Sequence, residues 1–413
     1  MMRKLYIFIF AILPFSAFAQ TNIDQCYKAA RENYPLVTRY NLIEKSKEYN
    51  LKNAGHAYLP QGGISAKATI QTDVLSIPLP GMPQLPKDQY VVALEIDQAI
   101  WDGGAVRAQK RNIEAAAQVE TRQTDVDLYA LKDRVNNLFF GILTLDEQLR
   151  LNDLLGSELQ RNLATISSYV VGGIATSADL DAVRVEILDN RQKRAAIKAS
   201  REAYSSMLAA LVGFPIEELE KPTINTDSQR DTLENHRPEL SLFQAQVASI
   251  DTKNYAITAQ NTPRISAFVQ GAYGDPGLNM FNLGFTPYAI GGINLSWKFG
   301  NLYNLKNERA KVEIEKKDVQ VMQETFLFNT NLDVEQNKAD VRRLRAQMAD
   351  DEQIIQLRGN IKRASQAKVA QGTLSVSDML SDVTAENAAK QTKALHEIEL
   401  LMTLYNIKYK TNN

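Results

Sequence analysis

The chain has 413 residues, 44% hydrophobic and 23% charged, with a net charge of -1 and a single cysteine. So even a balance offers no basic face for nucleic acid, and one cysteine excludes an intramolecular disulfide. Length alone allows two or three ordinary domains.

Arg3 and Lys4 precede an apolar run from Leu5 to Phe18, and Ala17-Phe18-Ala19 has the small-x-small pattern of a cleavage site before Gln20. The run is shorter than the roughly 18–20 residues that span a bilayer, so residues 1–19 are expected to be a signal peptide rather than an anchor. Nothing later reaches transmembrane-helix hydrophobicity, so the mature chain is expected to be exported without a spanning helix. Cys26 lies several residues past the cleavage point, too far for an acylated N-terminal cysteine, and is expected as a half-buried helix residue. Helical spacing runs from about Asn22 to Ala57, with Pro35 as a first-turn proline or a kink. Tyr58-Leu59-Pro60 ends it.

From Ile64 the period changes to two, through Ala66, Ala68 and Ile70. A proline-rich loop from Ser76 to Pro86 follows, and alternation resumes with Tyr90, Val92, Leu94 and Ile96. Two strands joined by one loop make a hairpin, with Trp101 at its end. Asp102-Gly103-Gly104 then opens a proline-free stretch that closes at Gly172-Gly173. Leu128, Leu131, Val135, Leu138, Ile142, Leu145 and Leu149 form a heptad seam within it. One unbroken helix there would be about 100 Å long. A second helix reaches about Leu211, stopped by Gly213-Phe214-Pro215, and a polar linker leads to His236.

The chain then repeats itself. Pro238 lies 203 residues after Pro35, and Pro263 lies 203 after Pro60; beyond the hairpin the offset becomes 199, matching Gly372 to Gly173 and Asp378 to Asp179. The second hairpin runs from Arg264 to Tyr273 and from Tyr288 to Phe299, where Ile293, Leu295, Trp297 and Phe299 alternate with polar residues. The expected organisation is therefore a first repeat over 20–214 (hairpin about 60–101, helices 104–171 and 176–213) and a linker over 215–236. A second repeat covers 237–413 (hairpin about 263–299, helices 302–371 and 375–410). The fold class is mainly α with a small β part. Four strands cannot close a barrel, and open edges aggregate, so oligomerisation that closes the sheet is expected. The strand lengths and alternation suit a lipid-facing barrel. Trp297, Phe299, Tyr90 and Tyr288 near strand ends resemble an interfacial girdle. A soluble hairpin capping a helical bundle fits the same periodicity.

Catalytic and cofactor patterns are missing from the sequence. His56, His236 and His396 are isolated from acids and cysteines at ligand spacing, and neither a phosphate-binding Gly loop nor a Gly-x-Ser-x-Gly elbow occurs. No enzyme activity, metal or cofactor is expected.

The signal peptide, the duplicated helix–hairpin–helix halves, Asp102-Gly103-Gly104 and the Gly-turn pair together resemble the TolC family of outer membrane efflux proteins. The resemblance covers essentially the whole mature chain. It implies a homotrimer, twelve strands in one outer-membrane barrel surrounded by lipid, and long helical hairpins forming a periplasmic coiled-coil tunnel. It also implies the role of exit duct for a tripartite pump or type I secretion system, with a periplasmic adaptor and an inner-membrane RND or ABC transporter as partners. The competing class is a periplasmic coiled-coil scaffold or adaptor without a barrel. By the resemblance, adaptor docking falls on the turns Gly172-Gly173-Ile174 and Gly372-Thr373-Leu374, and strand-to-helix passage on Trp101, Asp102, Gly103 and Gly104 and on Trp297 and Gly300. Asp179 and Asp378 read as helix-capping acids three residues after Thr176 and Ser375. Asp378 is also expected in a carboxylate ring at the periplasmic gate, with Asp179, Ser381 and Asp382 as further candidates. Better-known members place an arginine and a second aspartate where this chain has Leu374 and Ser381, so the same latch is not expected. The docking turns also depart from the family's Val-Gly-Leu, and the second hairpin ends Trp297-Lys298-Phe299-Gly300-Asn301, without Asp-Gly-Gly.

Overall fold

The computed structural model describes residues 20–75, 84–223 and 234–412. The expected signal peptide and most of the proline-rich loop lie outside them. Two compact units emerge, one from residues 1–37, 128–236 and 329–413, the other from 38–127 and 237–328.

The first unit is helical. Helices α1 (Ile23–Asn33), α4 (Leu131–Val171), α5 (Ser177–Val212) and α9 (Val376–Thr411) bury a common core. The expected seam is buried at Leu128, Leu131, Val135, Leu138 and Ile142 and half-buried at Leu145 and Leu149. Phe139, Phe140 and Leu143 are buried as well, so α4 is covered on more than one side here, which a two-partner seam does not require. Phe139 and Phe140 meet edge to face at 5.7 Å, and Phe140 lies 5.4 Å from Tyr405 of α9. Cys26 is fully buried rather than half-buried, because α1 lays it into this core, and burial pushes its thiol up to about 11. Ile216 and Leu219 join the same core, and Thr21 bridges to Leu219; the start of the expected polar linker is thus anchored.

The second unit holds one antiparallel sheet in the order β1 (Gln61–Ile70), β2 (Asp88–Trp101), β3 (Arg264–Asp275), β4 (Thr286–Ser296). Pro60 and Pro263 immediately precede β1 and β3, where a missing N–H costs no ladder bond. Helices α2 (Arg39–Gly55), α6 (Pro238–Asp251) and α7 (Lys253–Gln260) lie in this unit. Pro35 and Pro238 each open a helical segment, a 3-10 turn and α6 respectively. Hairpin register reproduces the duplication: Gln61 pairs with Asp97 and Arg264 with Ser296, offsets of 203 and 199.

Helices α3 (Ala105–Tyr129) and α8 (Leu305–Ala370) run from one unit into the other by residue number. The single helix expected over 104–171 is broken at Ala130, with neither proline nor glycine at the break. Tyr129 beside it stacks on Tyr409 at 5.0 Å and donates to the Tyr409 carbonyl, so this turn is fixed by tertiary contacts. Its counterpart α8 is continuous over 66 residues, about 100 Å. β4 stops at Ser296, so Trp297 lies beyond the ladder and Phe299 begins a 3-10 turn to Tyr303 instead of extending the strand. Among the described residues no helix is long and apolar enough to cross a membrane.

Replacing Phe139 with Ala empties a closed site and should cost about 3–5 kcal/mol. Thermal unfolding followed by far-UV circular dichroism checks this, and an unchanged midpoint would show that the core collapses around the gap.

Candidate functional site

Register sorts the sheet into two faces, because side chains alternate along each strand. One face gathers Ile64, Ala66, Ala68 and Ile70 of β1 with Tyr90, Val92, Leu94 and Ile96 of β2. Ile265, Val269 and Tyr273 of β3 and Ala289, Ile293 and Leu295 of β4 complete it. Its charged members, Asp88 and Asp275, sit at the loop ends of their strands. Among the described residues most of this face is uncovered, with Ile70 89% exposed and Ile293 74%, whereas Ile265 is half-buried. The opposite face carries Lys67, Glu95, Asp97, Gln270 and Asn294. From Tyr90 to Trp101 the apolar side of β2 is about 37 Å long, or about 28 Å of height at a tilt of about 40°, close to the apolar band of a membrane barrel.

Aromatic rings stand at both ends of the apolar face. Phe285 lies 5.5 Å from Tyr273 and 6.2 Å from Tyr90 at the loop end. Trp101, Trp297 and Phe299 are exposed at the other, the last two 5.4 Å apart. Tyr288 is not part of this set: it pairs with Ala272 on the polar face. Trp101 reaches the apolar face through a bulge. The register shifts between Ala99 and Trp101, leaving Ile100 extra and setting Trp101 opposite Ile265.

The two strand-to-helix junctions differ. Asp102 Oδ1 accepts from the Gly104 amide (2.8 Å) and the Tyr58 hydroxyl (2.7 Å), and Oδ2 from the Val106 amide (2.6 Å), which caps α3. Gly103 has φ +72°, and a Cβ there would come within 2.4 Å of Thr262 Oγ1. At the second junction Gly300 lies in the 3-10 turn, which is tied down by Trp297 Nε1 donating to Asn261 O (3.0 Å) and Asn301 Nδ2 donating to Gln260 O (3.2 Å).

The helical turns, in the other unit, share one local design. Gly173 (φ +71°) and Gly372 (φ +68°) take the left-handed position after α4 and α8. The Ile174 amide donates to Tyr169 O (2.9 Å) and the Thr373 amide to Lys368 O (3.0 Å), the six-to-one bonds of a Schellman motif. Thr176 and Asp179 form a complete capping box at α5. At α9 the Asp378 amide donates to Ser375 Oγ (3.1 Å) and the Ser375 hydroxyl to Asp378 Oδ2 (2.7 Å). Asp378 and Ser381 are exposed and Asp179 half-buried. Asp382 accepts from buried Ser365 of α8 and is thereby engaged inside its own hairpin. Leu374 packs into a cluster with Leu159, Ile166, Val183, Val369 and Val376, which joins both turns, whereas Gly172, Gly173, Ile174, Gly372 and Thr373 stay exposed.

Residues 26–214 match the sequence model of the outer membrane efflux protein family. Solved structures share the fold over nearly the whole chain. VceC from Vibrio cholerae, an outer membrane protein, aligns over 93% of this chain and 95% of its own at TM-score 0.65 and 14% identity. The CmeC outer membrane channel of Campylobacter jejuni aligns over 94% and 85% at 0.65 and 11%. The open-state MtrE outer membrane channel of Neisseria gonorrhoeae aligns over 94% and 88% at 0.62 and 15%. No curated protein sequence matches the chain. The fold is thus that of solved outer membrane channels, and the matched sequence segment is that of the outer membrane efflux protein family.

Two features of this fold escaped the sequence. Lys362 of α8 pairs with Glu158 of α4 (2.7 Å) and with Glu386 of α9 (2.6 Å), and Glu386 also meets Lys390 (2.9 Å). Only the Glu386–Lys390 spacing could be read along the chain; Glu158 and Lys362 are 204 residues apart. His396 likewise is not isolated, since its Nδ1 lies 2.8 Å from Asp351 across α8 and α9. Among the described residues no group of three or more His, Cys, Asp or Glu could hold a metal.

Burial alone would lower the Lys362 pKa, but its two glutamate partners raise it; burial would raise that of Glu386, but the lysines hold it down. Glu386 therefore contributes fully above the ordinary 4.5 and loses its contribution as pH falls through its lowered folded value. Lys362 contributes fully below 10.5 and loses its contribution as pH rises through its raised value. Lys362→Met should cost about 3 kcal/mol by stranding Glu158 and leaving Glu386 with Lys390 alone, and the loss should shrink in acid. Urea titrations at pH 7 and pH 4 check this; equal losses at both would show that the lysine acts through packing alone.

Proposed function

We propose that three copies of this chain close a twelve-stranded outer-membrane barrel and continue it as a periplasmic helical tunnel. The assembly serves as the passive exit duct of a tripartite efflux pump or type I secretion system. The observation that carries this reading is the sheet itself, with a continuous uncovered apolar face, aromatic ends and two unpaired edges, β1 and β4. Backbone groups in a bilayer must pair within protein, and a second copy of the same sheet supplies the partner edge. Helix α8 supports it too: Ile314, Val321 and Phe328 are exposed at intervals of seven, a seam left uncovered by the described residues.

The duplication also sets the register of closure. Within the chain β2 pairs with β3, Leu94 opposite Gly271 and Ile96 opposite Val269. Carried through the two offsets, β4 meets β1 of the next copy with Ile293 opposite Ala68 and Leu295 opposite Ala66. Substrate enters from an inner-membrane RND or ABC transporter through a periplasmic adaptor seated at the Gly172-Gly173-Ile174 and Gly372-Thr373-Leu374 turns. Exposed Asp378, in three copies around the axis, supplies the carboxylate ring at the gate. Asp382, held by Ser365, is the weaker contributor.

Paired cysteines at Ile293 and Ala68, and separately at Asn294 and Lys67, should cross-link neighbouring copies on oxidation; adjacent pairs alternate in geometry, so one has the closer approach. Stronger linkage for Ile293 with Ile70 would move the register. Asp378→Asn should weaken block by divalent cations several-fold in planar bilayers while trimers form normally, and unchanged block would remove Asp378 from the pore.

A further inference from the structure

Where β3 begins and β4 ends, a cavity of about 160 Å³ is lined by Gln260, Thr262, Arg264, Ser296, Lys298 and Asn301. Every lining side chain is polar, two are cations and none is a carboxylate. Arg264 and Ser296 are direct partners in the sheet register on the polar face, and Lys298 follows two residues later. Neither cation joins an ion pair among the described residues. The remaining lining groups are held in place: the Thr262 hydroxyl donates to Gly103 O (2.7 Å) and Asn301 Nδ2 to Gln260 O (3.2 Å).

The first repeat provides an internal control. At the offsets fixed by the hairpin registers, Arg264 corresponds to Gln61, Ser296 to Asp97 and Lys298 to Ala99. The same architectural position is thus built there with no cation and with one acid, so the junction does not need basic residues to fold. Both cations are exposed at this concavity, and an oxyanion seated there can accept from both. A guanidinium fork, an ammonium and a hydroxyl suit the tetrahedral oxygens of phosphate.

We infer that this cavity is an oxyanion site for phosphate-bearing solutes, formed by Arg264, Lys298 and Ser296. The assignment to the duct's interior rests on the reading above that the apolar face meets lipid; the polar face then meets the lumen, and the ligand is a soluble anion in transit rather than a lipid headgroup.

Inorganic phosphate titrated calorimetrically into the detergent-solubilised full-length protein should bind. The double variant Arg264→Gln with Lys298→Gln should weaken binding about tenfold or more, whereas the charge-preserving Arg264→Lys with Lys298→Arg should keep most of it. In planar bilayers the wild type should show block by phosphate that the Gln pair loses. Equal phosphate affinity in wild type and Gln pair overturns the site. Retention of phosphatidylglycerol by the wild type in native mass spectrometry, lost in the Gln pair and without phosphate binding, overturns the soluble-anion assignment in favour of a lipid headgroup. A protein that binds phosphate in detergent yet never conducts would instead sink the duct reading and leave the site standing.

Discussion

A four-stranded sheet leaves one row of backbone amides and carbonyls unpaired along β1 and another along β4, and the rest of this molecule answers to that constraint. Water could satisfy those rows, but the sheet turns a continuous apolar face outward, and that face is stable only away from water. In the proposed barrel the edges would meet other edges beside lipid, so two requirements that conflict in a monomer would agree in a closed ring. Asp88 and Asp275 fall where the strands reach the loops, which keeps charge off the middle of that face.

The helical unit solves a different problem with repeated local chemistry. Each hairpin turns on a left-handed glycine, closes with the same six-to-one hydrogen bond and restarts with a hydroxyl cap and an aspartate. These motifs satisfy helix-end groups without help from outside the turn. The sequence between them is therefore free to vary, as the differing Gly172-Gly173-Ile174 and Gly372-Thr373-Leu374 turns show.

Features with a period or a punctuation mark were legible in the sequence. The seam of α4, the strand faces, the caps and both offsets of the duplication follow from spacing, and the structure keeps them. What escaped depended on which element lies opposite. Phe139 and Phe140 are buried because α4 is covered by several helices at once, and a seam template asks for one neighbour. Cys26 is fully buried for the same reason. Tyr288 stands near a strand end, yet its partner Ala272 puts it on the polar face. The break at Ala130 has no local signal, and the Glu158–Lys362–Glu386 cluster unites three helices whose alignment no linear pattern encodes.

The bulge at Ile100 separates the two junctions more deeply than their sequences do. Past this bulge α3 leaves the sheet through a tight, acid-capped turn, whereas α8 follows a looser 3-10 turn. Around a closed ring these two exits would alternate, giving six helix entrances of two kinds. In the proposed trimer the symmetry at that level would be threefold rather than sixfold. A solute passing that level of the proposed duct would meet the two kinds of junction in turn.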